Sequence, residues 1–139
     1  MNSISIFILI AFFVPAANPK LDRDFIFPKA AQEKAPPGES FEVITEKDMF
    51  KAKEILKKSW NKNESDTTWA KYNRQYMLYN SNQMGKVVFI AGTCNEETDE
   101  YFATTWTMGM RADKCYYYAF VDLKKKKVVN FLWNVYGKK

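Results

Sequence analysis

The chain carries 139 residues, of which 47% are hydrophobic and 17% aromatic, enough to bury the core of one domain and too many for a chain that is disordered throughout. It contains no histidine, which removes the commonest general base, the histidine-activated nucleophiles and the usual zinc sites. The formal charge of +5 is mild and no recognisable nucleic-acid-binding motif accompanies it, so we expect no nucleic-acid partner.

The first predicted element is a signal for export. Residues 4–14, ISIFILIAFFV, form an uncharged apolar run that is too short for a membrane-spanning helix of about 20 residues but fits the apolar region of a signal peptide. Val14 and Ala16 supply the small side chains of a cleavage site. We therefore interpret residues 1–16 as a signal peptide and expect a secreted or periplasmic protein without a stable membrane span. The alternative is an N-terminal core strand or a short buried helix.

Residues 17–40 are predicted to form a flexible or extended leader. They mix charged residues and prolines around one apolar patch, Phe25–Phe27, which could dock onto the domain but has no periodicity to say where. The turn-forming sequence PPG at 36–38 marks the entry to the domain. The remaining residues, 41–139, are expected to form a single α+β domain.

An amphipathic helix of about four turns is predicted from Thr45 to Trp60. Thr45 is a good N-cap, and Asp48 follows three residues later as in a capping box. The lysine-rich side of this helix is interpreted as a solvated face rather than a membrane-binding one. Apolar side chains recur at helical spacing along the other side, at Met49, Ala52, Ile55, Leu56 and Trp60.

The rest of the chain predicts five strands. The first, from about Lys71 to Tyr79, has aromatic residues at helical spacing, but the turn-forming NSNQMG that follows favours a strand and a hairpin. Short connections favour an antiparallel meander, so the predicted fold class is α+β, with one amphipathic helix packed on a five-stranded antiparallel sheet. The other four strands are predicted in KVVFIAGTC, YFATTWTMGM, CYYYAFVDL and KVVNFLWNVY.

The last hairpin predicts which face of the sheet packs on the helix. A loop of even length at Lys124–Lys127 pairs Tyr118 with Trp133, and the face that carries both is expected to be buried. That face comprises Tyr116, Tyr118, Phe120, Val129, Phe131, Trp133 and Val135. The predicted solvent face comprises Tyr117, Ala119, Val121, Asn130, Leu132, Asn134 and Tyr136.

The two cysteines, Cys94 and Cys115, leave two alternatives open. In an exported domain two cysteines are usually bonded. In the predicted meander, however, they lie on strands that run in the same direction, near opposite ends of the sheet, whereas a bridge needs Cα atoms within about 7 Å. The sequence therefore allows either a disulfide or a pair of buried thiols.

The order of a helix followed by a curved antiparallel sheet resembles the cystatin-like and NTF2-like architectures. The ending CYYYAFVDLKKKKVVNFLWNVYG is similar to the last hairpin of small exported bacterial proteins of unknown function. The resemblance covers residues 45–139 and concerns the pattern of elements. The Gln-x-Val-x-Gly loop with which cystatins bind cysteine proteases does not occur in the sequence, which argues against that activity.

Two functions remain. One is an exported, non-enzymatic binding module, such as an inhibitor, adaptor or immunity-type protein, and the alternative is an NTF2-like small-molecule binder or enzyme with a pocket between helix and sheet. The sequence has no phosphate-binding glycine loop, metal cluster or nucleophile elbow, so we expect no cofactor and no metal, and we favour the binding module over an enzyme. The predicted partner-binding residues are Tyr72, Tyr76, Tyr117, Leu132 and Tyr136. The predicted pocket residues are Trp106, Tyr116, Tyr118 and Trp133.

Three charged features each have two interpretations. The lysine run 124–127 could attract phosphates or acidic polysaccharide, but a solubilising hairpin tip is favoured. The acidic residues at 96–100 could collect a cation but lack the spacing of a calcium loop. Asp122 could act as an acid or base if its pKa were raised, but a carboxylate that escapes to solvent beside Lys124 or Lys127 is favoured.

Overall fold

The computed structural model describes residues 23–28, 36–63, 69–106 and 114–133. These residues form an α+β fold in which one long helix packs on a six-stranded mixed sheet. In chain order the elements are β1 (Arg23–Ile26), β2 (Ser40–Glu42), α1 (Glu46–Asn63), a short 3₁₀ helix (Trp69–Lys71), β3 (Asn73–Ser81), β4 (Gly85–Thr93), α2 (Asp99–Thr104), β5 (Tyr116–Asp122) and β6 (Lys127–Trp133).

The sheet differs from the predicted five-stranded antiparallel meander at its beginning. β1 pairs in parallel with the first half of β3, and β2 pairs antiparallel with the second half. Only β3 to β6 form an antiparallel meander. β1 comes from the predicted leader, where Phe25 stacks on Phe102 of α2 with ring centroids 5.1 Å apart. For residues 23–26 the flexible alternative is therefore wrong, since they form an extended strand that packs on the domain.

The segment YFATTWTMGM, predicted as the third strand of the meander, begins as a helix. Thr98 caps α2, because its Oγ1 accepts a hydrogen bond from the Tyr101 backbone N–H at 3.1 Å. The second half of that predicted strand, residues 107–110, lies outside the described residues. α2 lies between β4 and β5 in the chain, and these two strands are direct antiparallel neighbours in the sheet.

The predicted helix is confirmed and runs from Glu46 to Asn63. Its predicted N-cap is also present, since the Asp48 backbone N–H donates to Thr45 Oγ1 at 3.2 Å. Trp60 lies at the centre of the core under the helix, and its ring meets five other rings edge-on at centroid distances of 5.1–5.8 Å. These rings belong to Trp69, Tyr72, Tyr117, Phe131 and Trp133.

The predicted faces of the last hairpin are correct for β6 and wrong for β5. On β6, Phe131 and Trp133 pack against the core under α1, and Asn130 and Leu132 are exposed, as predicted. Residues 134–136, with which both predicted faces end, lie outside the described residues. On β5 the prediction is wrong: the residues buried under α1 are Tyr117, Ala119 and Val121, and the residues on the opposite face are Tyr116, Tyr118 and Phe120.

A bulge in β6 causes this reversal. The pairing changes from Phe120–Asn130 to Val121–Val128, which leaves Val129 as an extra residue of β6. Neighbouring side chains of a strand point to opposite faces of the sheet. The extra residue therefore pairs Trp133 with Tyr117 instead of Tyr118, so that Tyr117 lies on the core side.

The sheet face opposite α1 also carries aromatic rings, which explains why both faces of β5 are aromatic. Phe89 and Phe120 stack across neighbouring strands with centroids 4.6 Å apart. Phe41 of β2 stacks on Tyr79 of β3 at 5.0 Å. α2 packs on this face at the end of the sheet that β1 forms. The sheet therefore has an aromatic layer on each side.

Gly92 makes room for the most buried tyrosine of β5. It pairs with Tyr117, whose ring lies over it so closely that a Cβ atom would overlap the ring. We expect Gly92→Ala to lower the free energy of unfolding by about 2 kcal/mol, because the displaced ring is held by its neighbours in the core. Chemical denaturation measures this. In a Tyr117→Leu background the same change should cost clearly less, and an equal cost would contradict the steric explanation.

Candidate functional site

Most of the predicted partner-binding residues lie in the core. Tyr72, Tyr76 and Tyr117 are at most 1% exposed, because they occupy the sheet face that α1 covers. Leu132 is 50% exposed on the opposite face, and Tyr136 lies outside the described residues. The three tyrosines thus support the fold, and they do not form the surface that the sequence predicted.

The four predicted pocket residues are not brought together. Trp133 packs under α1 against Trp60, whereas Trp106 and Tyr118 lie against Phe89 on the opposite face of the sheet. The Tyr116 hydroxyl accepts a hydrogen bond from the Asn95 side chain near the end of β4. The ring of Trp60 occupies the centre of the layer where a pocket between helix and sheet was predicted.

A buried charged network joins β1, β3 and α1. The Arg74 guanidinium is fully buried, donates from Nε to the Tyr117 hydroxyl at 3.0 Å, and lies 3.5 Å from the centroid of the Trp69 ring. Asp24 lies 3.8 Å from Arg74 Nη1 and forms an ion pair with Lys53 of α1. Since Arg74 is sealed from solvent, this network holds elements together and offers no surface to a substrate.

The same network perturbs a tyrosine. The Tyr76 hydroxyl donates to Asp24 Oδ1 at 2.7 Å. Burial, followed by the negative charge of Asp24, raises the pKa of Tyr76 well above its usual range. Tyr76 therefore stays protonated and serves as a hydrogen-bond donor within the core.

A groove runs along α1 on the side that faces the β5–β6 hairpin. Three adjoining clefts of about 720, 500 and 420 Å³ form it. The first and second share Leu123, and the second and third share Ile55 and Lys126. We call it the helix–hairpin groove, which lies between residues 43–59 and residues 123–128.

Large apolar side chains are exposed in the helix–hairpin groove. Phe50 is 56% exposed and Val43 is 50% exposed, and the partly buried side chains of Ile55 and Leu123 continue the apolar surface between them. Phe50 was not among the candidate binding residues predicted from the sequence. The sequence does indicate its exposure, because Phe50 lies outside the apolar stripe of α1, beside Lys51 on the polar side.

Lysines from two distant parts of the sequence border the same groove. Lys51 and Lys58 extend from α1, and Lys124, Lys126 and Lys127 extend from the hairpin. The sequence suggested two separate solvated lysine runs, and the fold brings them to the two sides of one apolar surface. This arrangement can attract anionic groups and bury apolar ones at the same time.

Lys126 is held in a backbone conformation that suits glycine better. Its φ of 54° lies in the left-handed region. We expect Lys126→Gly to raise the free energy of unfolding by up to about 1 kcal/mol, because the strain of the Cβ atom is removed. Thermal or chemical denaturation measures this. Lys125→Gly, one residue earlier, is the control and should not stabilise the protein; equal effects of the two changes would contradict the assignment of strain to Lys126.

Asp122 stabilises the hairpin turn, and its pKa is lowered rather than raised. Its carboxylate accepts a hydrogen bond from the Lys125 backbone N–H at 2.8 Å and lies 3.6 Å from Lys125 Nζ. The backbone hydrogen bond from Lys125 is the main cause that lowers the pKa of Asp122 below its usual 3.8. The prediction of a solvent-exposed carboxylate is wrong, because Asp122 is only 6% exposed, and the lysine beside it is Lys125 rather than Lys124 or Lys127.

Of the two alternatives for the cysteines, the structure has the disulfide between Cys94 and Cys115. Their Cα atoms are 5.0 Å apart, and the Cys94 backbone N–H donates to the Cys115 carbonyl at 2.9 Å. The cysteines face each other because α2 replaces the strand that was expected to separate β4 from β5.

Among the described residues, no group of three or more histidine, cysteine, aspartate or glutamate side chains is placed to hold a metal ion. The helices of the described part of the chain are also too short or too polar to cross a membrane. No protein-family model, curated protein or solved structure matches the chain.

Proposed function

We propose that the chain is an exported, non-enzymatic binding module that holds a segment of a partner protein in the helix–hairpin groove. The exposure of Phe50 carries the proposal. A large aromatic side chain that is 56% exposed beside clefts with apolar walls forgoes hydrophobic stabilisation, which a bound partner would restore. Aromatic anchors of this kind contribute much of the free energy of binding in protein interfaces.

Two further observations support the proposal. The disulfide between Cys94 and Cys115 is typical of proteins outside the cytosol, which agrees with the signal peptide predicted for residues 1–16. The perturbed or buried charged groups, Arg74, Asp24 and Asp122, have their partners within the fold. They therefore support structure rather than catalysis.

One observation favours the small-molecule alternative. The cleft at the beginning of α1 has a volume of about 720 Å³, within the range of about 300–1,000 Å³ that is typical of small-molecule sites. Its walls include Val43, Leu78 and Val88 rather than the pocket residues predicted from the sequence. Native mass spectrometry of the protein purified from its source organism separates the two functions, since a bound small molecule adds its own mass.

The proposed function is tested by capture of partners from the exported proteins of the source organism. Wild-type protein, Phe50→Ala and the control Leu132→Ala are used as bait, because Leu132 is similarly exposed on the other face of the sheet. We expect a protein that wild type and Leu132→Ala retain and that Phe50→Ala retains about ten-fold less, as for the loss of one aromatic anchor. Equal retention by all three baits would contradict the proposal.

A further inference from the structure

The helix–hairpin groove has the chemistry of a receptor for an acidic, apolar ligand. The described lining of its three clefts holds six lysines and four carboxylates. The excess of lysine lies in the two clefts beside the middle and end of α1, where Lys51, Lys58, Lys126 and Lys127 face Glu54, although Lys51 also lies 3.7 Å from Asp48. The first cleft is bordered by Lys86 and Lys124 and by the carboxylates of Glu42, Asp48 and Asp122. Phosphate-rich or polysaccharide ligands would satisfy the lysines but would leave the exposed ring of Phe50 in contact with polar groups. A ligand that carries both carboxylates and apolar side chains satisfies both parts of the surface.

The shape of the groove indicates a chain segment as its ligand. It follows α1 from Thr45 to Ser59, which at a rise of 1.5 Å per residue is about 20 Å. About six residues of extended peptide, or about fourteen residues of helix, span that length. A flat membrane surface would contact the rims of such a groove and leave its apolar floor uncovered.

Lys126 combines a place between two clefts with an unusual backbone conformation. It borders the second and third clefts and occupies a left-handed backbone position where glycine would be more stable. Backbone strain of this kind is often retained where a side chain has a function. A solubilising hairpin tip would keep its positive charge with lysines at the neighbouring, unstrained positions.

We infer that the helix–hairpin groove binds an acidic, apolar peptide segment of a partner protein. Apolar side chains of the segment lie against Phe50, Ile55 and Leu123, and its carboxylates face the lysines of α1 and of the hairpin. This inference rests on the proposed function and adds to it the chemistry of the partner.

The test is a selection from a random library of peptides of about fourteen residues, long enough to span the groove in either conformation. The full-length protein with its disulfide formed is the target. We expect the selected peptides to be enriched in Asp and Glu together with Leu, Ile and Phe. Binding should weaken when the ionic strength rises from about 0.1 M to about 1 M, because the Debye length falls from about 10 Å to about 3 Å.

Matched variants locate the binding site. Phe50→Ala should weaken the selected peptides about ten-fold, as expected for an interface anchor. Lys126→Gly should weaken them several-fold although it stabilises the fold, so that unfolding cannot explain the loss. Lys57→Ala removes an exposed lysine of α1 that does not line the three clefts, and it should leave binding unchanged.

Several outcomes would overturn the inference. Selected peptides that are neutral or basic but depend on Phe50 would contradict acidic recognition while leaving the proposed function in place. Acidic recognition is likewise contradicted, and the proposed function kept, if the library yields no binding peptide while Phe50→Ala fails to retain a partner protein that the wild type captures. Tighter Phe50-dependent binding of oleate or of phosphatidylglycerol vesicles than of any selected peptide would assign the groove to a lipid. Peptides that bind Phe50→Ala as well as wild type would place the site elsewhere.

Discussion

Replacement of Asp24 by alanine is expected to lower the free energy of unfolding by about 3–5 kcal/mol, because it leaves the buried positive charge of Arg74 without its carboxylate. Arg74 is fully buried and the Asp24 side chain is almost so. Asp24 also forms an ion pair with Lys53 and accepts a hydrogen bond from Tyr76. Chemical denaturation of the variant and the wild type measures the difference.

Asp99→Ala is the matched control for this prediction. Asp99 forms an ion pair with Arg23, which like Asp24 belongs to β1. The Asp99 side chain is 81% exposed, so Asp99→Ala should lower the free energy of unfolding by less than about 1 kcal/mol. A double-mutant cycle with Arg74→Met isolates the coupling between the two charges. The prediction is wrong if Asp24→Ala and Asp99→Ala have the same effect.

Hydrogen exchange at the end of β1 provides a local test of the Asp24 prediction. The Phe27 backbone N–H, just after β1, donates to the Tyr76 carbonyl at 2.9 Å. If Asp24 fastens β1 to β3 and α1, hydrogen exchange at Phe27 should accelerate in Asp24→Ala more than exchange at the centre of the β3–β4 hairpin. Uniform acceleration would indicate a global effect instead.

The elements that the sequence predicted well are those whose signals are local. α1 combines a capping threonine with apolar residues at helical spacing, and β3 and β4 flank a turn-forming segment. α2 also had a local signal, the capping Thr98 followed by Asp99 and Glu100, but its aromatic residues suggested a strand instead. Helix capping was the better guide in both cases.

The parts that were predicted wrongly depend on distant contacts or on a single extra residue. β1 has four residues, and its partner in β3 lies about fifty positions away, so no periodicity identifies it. Val129 changes the pairing of β5 with β6, and nothing in its immediate sequence marks the bulge. The burial of Tyr117 followed from that one residue.

The candidate site was hidden for a related reason. Phe50 and the lysines of both runs are visible in the sequence, but each has an ordinary interpretation alone. They become a candidate site only because α1 packs beside the β5–β6 hairpin, which places Phe50 and Lys51 in one cleft with Leu123 and Lys126. Such a site can be predicted only after the packing of the helix on the sheet is known.

Removal of the disulfide is expected to have the other large effect. Replacing Cys94 and Cys115 by serine should lower the free energy of unfolding by about 3 kcal/mol, because the bond closes a loop with a sequence separation of 21 and restricts the unfolded chain. In a domain of this size that corresponds to a midpoint of thermal unfolding lower by roughly 10–20 °C. Reductant should bring the wild type to the stability of the double variant and leave that variant unchanged.

The same change should leave peptide binding intact at temperatures where the protein is folded. Cys115 precedes β5 and Leu123 follows it, so the disulfide and the helix–hairpin groove are about 25 Å apart along this strand. The Cys94 N–H to Cys115 carbonyl hydrogen bond holds the strand ends together without the sulfur bridge. A double variant that loses stability but keeps its peptide affinity would show that the disulfide stabilises the fold without contributing to binding. A loss of affinity in the folded double variant would show instead that the two ends of the sheet are coupled.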